Sequence, residues 1–92
     1  MKFIYPAVFT PHINGSFSSF FPDLADCISG GETLEEAIEK ANETAENWIR
    51  AELDEEHPDL PPVSEAGDLT LEEGQVVRYI QVNIRFYDGW DE

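Results

Sequence analysis

The feature that most constrains the fold is a long amphipathic helix that the sequence places after Thr33. Thr33 has the side chain of a helix N-cap, and Glu36, three residues later, can reach back to complete a capping box. Apolar side chains then recur at intervals of three and four residues and form one stripe: Leu34, Ala37, Ile38, Ala41, Ala45, Trp48, Ile49 and Leu53. The opposite face is mostly acidic. Because the stripe must be buried against another element, the sequence predicts a helix packed on a sheet.

Three strand-like runs precede the helix. Residues 2–10 are rich in aromatic and β-branched side chains, which favour a pleated, half-buried surface. An Asn-Gly pair at residues 14–15 supports the tight reversal of a hairpin, so residues 16–21 are predicted to return as the second strand. A short third strand is expected at residues 27–29, and the glycine pair at 30–31 is interpreted as the turn that ends it.

One further strand follows the helix. Residues 54–75 are acidic and rich in proline, which is typical of a linker. Residues 76–87 alternate in polarity, with Ile80, Val82 and Ile84 on one side, as in a strand with one buried face. The predicted fold is α+β in the order β-β-β-α-β, a mainly antiparallel sheet with one long helix on one face. We expect a single domain over residues 1–92.

The charge of the chain restricts its partners. Five Lys and Arg residues against 20 Asp and Glu residues give a net charge of −15. Direct binding of DNA or RNA needs a basic surface, so it is not expected, and neither is binding to an anionic membrane. Hydrophobic residues make up 41% of the chain, which is too many for a solvated acidic tail. The sequence therefore predicts a folded acidic domain.

No catalytic or metal site is expected. Cys27 is the only cysteine, so the chain has no internal disulfide, and with no export signal at its start we expect a cytoplasmic protein. Cys27 with His12 or His57 would be a possible nucleophile and base, but nothing in their spacing supports that pairing, and we interpret Cys27 as a buried structural thiol. The acidic run at 54–59 lacks the spacing of a calcium loop. We expect neither a metal nor another cofactor.

A motif before the helix resembles a known family. Residues 21–37 follow the pattern F-P-D-L-x-G-C-x-[ST]-x-G-x-T-x-E-E-A almost throughout. This pattern is similar to that of the HicB family of bacterial antitoxins. The chain departs from it mainly at Asp26, where the family usually has glycine. Aspartate can replace glycine in a tight turn, so the departure is a mild one.

The resemblance implies a partial RNase H-like fold without enzymatic activity. Its implied role is to bind and block HicA, a small basic ribonuclease toxin. Residues 2–10 lack the carboxylates that metal-dependent RNase H chemistry needs on its first strand, in agreement with a non-catalytic role. Acidic residues around the third strand and the helix start are the predicted toxin contacts: Asp23, Asp26, Glu32, Glu35 and Glu36. Many family members also carry a C-terminal DNA-binding domain, and we expect none in a chain that ends at residue 92.

Three other functions and one assembly property are considered beside the antitoxin hypothesis. The acidic surface could mimic a nucleic acid and inhibit a different binding protein, or serve as a general protein-interaction module without a HicA partner. An acidic metal-dependent hydrolase is the third possibility. The small core and the aromatic residues Tyr79, Tyr87 and Trp90 predict self-association, as a dimer or tetramer.

Overall fold

The predicted α+β fold is confirmed. The computed structural model describes residues 2–56 and 60–84. Its elements are β1 (Lys2–Pro11), β2 (Phe17–Phe20), β3 (Ile28–Gly31), α1 (Leu34–Leu53), a short 3₁₀ helix (Ala66–Asp68) and β4 (Val76–Asn83). The four strands form one sheet in the order β3-β2-β1-β4, and every neighbouring pair is antiparallel. β3 and β4 are therefore the edge strands.

Helix α1 begins where the sequence predicts. The Thr33 hydroxyl accepts a hydrogen bond from the backbone N–H of Glu36 at 3.1 Å. The Glu36 carboxylate accepts in return from the N–H of Glu32 at 3.2 Å, one residue earlier than in the usual capping box. Four residues of the predicted stripe are buried, Ala37, Ala41, Ala45 and Ile49, and the other four pack against the core partly buried. Within the described residues no helix is both long and apolar enough to cross a membrane.

The hydrophobic core lies between α1 and one face of the sheet. Side chains alternate along β1, so that Tyr5, Ala7 and Phe9 face the core. Ile80 and Val82 of β4 join them. Alanines on the facing side of α1 add little bulk, so the helix lies close to the strands.

The glycine pair before the helix does not form a turn, and that interpretation was wrong. Gly30 and Gly31 belong to β3 and pair with Ser18 and Phe17 of β2. A Cβ atom on Gly31 would lie only 2.6 Å from the backbone nitrogen of Ala37. The first turn of α1 therefore rests directly on the β3 backbone, and no larger residue fits there.

The connection between α1 and β4 has the composition of a linker but makes fixed contacts. The Tyr5 hydroxyl donates to the Pro61 carbonyl at 2.7 Å. Asp23 accepts from both the backbone N–H and the hydroxyl of Ser64, at 2.8 and 2.5 Å. Further along, the side chain of Gln75 donates to Thr10 at 2.9 Å. The described part of the connection, residues 60–75, is thus held against the domain along its length.

This connection covers part of the sheet face that α1 leaves free. Pro6 and Val8 alternate with the core residues of β1 and so lie on the far face, yet both are fully buried. On the same face, the Tyr79 hydroxyl of β4 accepts from the backbone N–H of Ala66 at 2.8 Å. The part of the far face around Pro6 and Val8 is therefore sheltered.

Replacing Gly31 with alanine should destabilise the fold. The new Cβ would lie 2.6 Å from the Ala37 nitrogen and 2.9 Å from the Glu36 carbonyl carbon, so helix and strand would have to separate. We expect the free energy of unfolding to fall by about 1–3 kcal/mol, as in other overpacked cores. Urea denaturation followed by circular dichroism measures this change. Gly67→Ala is the matched control, because nothing lies within 4 Å of a Cβ there; equal losses in both variants would contradict the packing argument.

Candidate protein interface

The motif residues between β2 and β3 fold into a compact loop. Backbone hydrogen bonds of 3.2 Å join Phe21 to Cys27 and to Leu24, and Leu24 to Cys27. Phe21, Leu24 and Cys27 are buried. Asp26 has a φ of 60°, in the left-handed region that glycine adopts most readily and aspartate tolerates. The prediction that Asp26 takes the place of a turn glycine is confirmed.

Two further contacts fix this loop on the domain. The indole N–H of Trp48 in α1 donates to the Ala25 carbonyl at 2.9 Å. Asp23 holds Ser64 of the connection on the other side. The loop is thus braced both by the helix and by the chain that leads to β4, and its exposed atoms are held in a defined position.

A groove of about 330 Å³ opens at this loop. Its lining is largely apolar and consists of Phe20, Phe21, Pro22, Leu24, Ala25, Asp26, Cys27 and Ile28. Phe20 and Ile28 are direct partners in the β2–β3 register, on the face away from α1. Their side chains are 41% and 67% exposed. By residue type an aromatic side chain in this strand is expected in the core, and for Phe20 that expectation is wrong.

The sequence signal that could have revealed these two residues is the alternation along β2 and β3. Ser19 and Ser29 face α1, where Ser19 is buried and their hydroxyls are 2.9 Å apart. Phe20 and Ile28 must then face the other way. That inference needs the register between β2 and β3, and a short strand that itself contains two glycines does not define this register from sequence alone.

The five predicted toxin contacts lie before and after β3, but they differ in what they do. Asp26, Glu32 and Glu35 are exposed. Asp23 is engaged with Ser64, and Glu36 caps α1. The first three are therefore free to meet a partner, whereas the other two already stabilise the domain.

The residues predicted for self-association are only partly described. Tyr79 lies on the far face of β4 and is 48% exposed, with its hydroxyl bonded to Ala66. Its apolar ring is available to a neighbour. Tyr87 and Trp90 lie outside the described residues.

Cys27 has the environment of a structural thiol. It is 2% exposed, and burial raises its pKa to about 11. His12 lies at the opposite end of β2, where its Nε2 is 3.0 Å from the Ser18 hydroxyl, so the two do not form a nucleophile and base. His57 lies outside the described residues. Within residues 2–56 and 60–84, no three His, Cys, Asp or Glu side chains are placed to hold a metal ion.

The raised pKa of Cys27 makes stability depend on pH. The folded thiol keeps its proton up to about pH 11, whereas an ordinary thiol loses it near 9.0. Between pH 9 and 11 the thiol of the unfolded chain loses its proton while that of the folded chain keeps it. The free energy of unfolding therefore falls by up to roughly 1.4 kcal/mol per pH unit over this range. The free energy of unfolding, measured by urea denaturation from pH 8 to 11, should fall more steeply for the natural protein than for Cys27→Ala. Parallel declines would contradict the assignment.

Comparison with known proteins gives a consistent answer. Residues 5–89 match the family described as the HicB-like antitoxin of bacterial toxin–antitoxin systems. A UPF0150 protein from Synechocystis sp. is 38% identical over 45 residues. That alignment spans 49% of this chain and 62% of the relative, so it covers less than two thirds of the curated protein.

Solved structures share the fold. A chain of a HicA3 and HicB3 toxin–antitoxin complex superposes with a TM-score of 0.68 and 25% identity, covering 89% of this chain and all of that one. The HicB3 antitoxin superposes with a TM-score of 0.66 and 27% identity, over 90% of this chain and 62% of that one. A chain of a toxin–antitoxin complex from Streptococcus pneumoniae superposes with a TM-score of 0.74 and 22% identity, over 90% of this chain and 70% of that one. The chain described here belongs to the HicB-like antitoxin family of bacterial toxin–antitoxin systems.

Proposed function

We propose that this protein is an antitoxin that binds and neutralises a HicA-type toxin, a small basic protein that cleaves RNA. The observation that carries this proposal is the family match over residues 5–89. Similar folds occur in two toxin–antitoxin complexes. The protein acts in this proposal by occupying the toxin, in the cytoplasm, and performs no chemistry itself.

The charge supports a basic partner. A net charge of −15 produces a field that attracts cationic proteins and speeds their encounter. A toxin that holds RNA must itself present positive charge. The exposed carboxylates of Asp26, Glu32 and Glu35, on both sides of edge strand β3, are our proposed contacts for it.

The strands support a non-catalytic role. Nuclease sites of the RNase H kind place carboxylates on strands so that they converge on metal ions. Strands β1 to β4 contain no aspartate or glutamate. A sheet of this composition fits a protein that binds a nuclease better than one that acts as a nuclease.

We also propose that the protein self-associates. The exposed Tyr79 ring and the small core of a 92-residue chain favour a dimer or tetramer. Light scattering at micromolar concentration tests this part of the proposal separately from toxin binding.

Co-expression is the direct test of function. We expect the protein to restore the growth of cells that express the HicA-type toxin encoded beside its gene, and to copurify with that toxin. Failure to bind or rescue would exclude the antitoxin hypothesis. Copurification of a different nucleic-acid-binding protein would instead favour the mimicry alternative.

Charge substitutions test the proposed contacts. The variant Asp26→Asn, Glu32→Lys, Glu35→Lys should lower the association rate with the toxin roughly tenfold or more at low salt and flatten its salt dependence. Asparagine is used at residue 26 because it tolerates a φ of 60°. Stopped-flow fluorescence measures the rate.

The control for this variant changes the net charge equally at other places. Glu43→Lys, Glu55→Lys, Glu73→Gln alters three exposed carboxylates that lie outside the loop and the helix start. Its effect should be clearly smaller, since it changes only the overall field. Equal rates in the two variants would show that Asp26, Glu32 and Glu35 are not contacts.

A further inference from the structure

The far face of the sheet is covered only in part. Around Pro6 and Val8 of β1 the connection shelters it and both residues are buried, whereas Ile4 and Tyr79 on the same face are 45% and 48% exposed. Over β2 and β3 the paired side chains Phe20 and Ile28 stay exposed on the same face. Among the described residues, the open half therefore presents an apolar surface next to a strand that is paired on one side only.

This open half leads into the groove at the loop, which we call the β3 groove and define by Phe20, Pro22, Asp26 and Ile28. One exposed carboxylate, that of Asp26, belongs to its otherwise apolar lining. The second acidic residue of the loop, Asp23, bonds to Ser64. A side chain that fills this groove must therefore offer both apolar surface and a positive charge.

We propose that the β3 groove binds a lysine or arginine side chain, carried by an extended segment of the basic partner. The aliphatic stem lies along Ile28 and Pro22, and the cationic end meets the Asp26 carboxylate and the Phe20 ring. This assignment rests on the proposed function for the identity of the partner as a cationic protein.

Three physical arguments favour this occupant. Lysine and arginine bury their methylene stems on apolar surface while keeping the charged end exposed, which matches the lining of the groove. A cation near an aromatic face or a carboxylate gains electrostatic energy, and Phe20 and Asp26 offer one of each. An acidic side chain would be repelled in the same position. An extended segment is favoured because edge strand β3 adjoins the groove and can pair with added backbone.

The test uses short peptides, so that it does not depend on any toxin. The probe is an acetylated and amidated peptide of sequence Thr-Val-Arg-Val-Thr, and the comparison peptide has glutamate in place of arginine. Each is titrated into the full ¹⁵N-labelled protein and followed by NMR. We expect the arginine peptide to shift the amide signals of residues 20–28, apart from Pro22, which has no amide hydrogen, in a saturable manner, and the glutamate peptide to leave them unchanged.

Variants then locate the binding. Asp26→Gly removes the carboxylate but retains the backbone conformation, because glycine adopts positive φ readily. Ile28→Thr removes apolar surface at an exposed strand position. Each should weaken binding of the arginine peptide roughly threefold to tenfold. Ile4→Thr is the matched control: Ile4 is 45% exposed on β1, on the same sheet face but away from the groove, and its loss should have no effect.

The outcomes separate this inference from the proposed function. Equal shifts with both peptides, shifts elsewhere on the surface, or equal weakening by Ile4→Thr and Ile28→Thr would overturn the groove assignment. That result would leave toxin neutralisation untouched, since co-expression tests it. Conversely, if the protein binds the arginine peptide in the groove but does not rescue cells from the toxin, the groove assignment stands and the antitoxin function is excluded.

Discussion

The close contact between the start of α1 and β3 is the constraint on which the rest of the structure depends. Gly31 brings the strand backbone against the nitrogen of Ala37, and the alanine stripe of α1 continues the approach over the sheet. Because Gly31 and the alanines of α1 add little bulk, the helix can lie close against the sheet. That position also places Trp48 against the loop before β3 and so braces the groove.

The sequence was sufficient for the helix and for the last strand. The capping residues around Thr33 mark the start of α1, and the apolar stripe of α1 and the alternation along β4 each have the period of their element, so these patterns predict the elements directly. Asp26 likewise could be understood from its neighbours, since a short polar residue can take a positive φ where glycine is usual.

What the sequence could not predict depends on contacts between distant segments. Phe20 reads as a core residue, and only the pairing of β2 with β3 shows that it faces outward. Proline and acidic residues mark the connection as a linker, yet its backbone is held by Asp23 and Tyr5, which are 41 and 56 residues from their partners, and by Tyr79, which is 13 residues from its partner. Individually these partners carry no sequence signal, because hydrogen bonds to a backbone require only a polar side chain in the right place.

The pairing of β1 with β4 has a consequence for how the chain folds. Lys2 lies opposite Asn83, so the inner strand β1 acquires its second neighbour only when residues about 80 positions apart meet. Closing so large a loop costs conformational entropy before the contacts between the strands form and offset that cost. During synthesis, β1, β2, β3 and α1 leave the ribosome first, while one side of β1 is still unpaired. The sheet is therefore completed late, and until then the unpaired side of β1 is open to pairing with other chains.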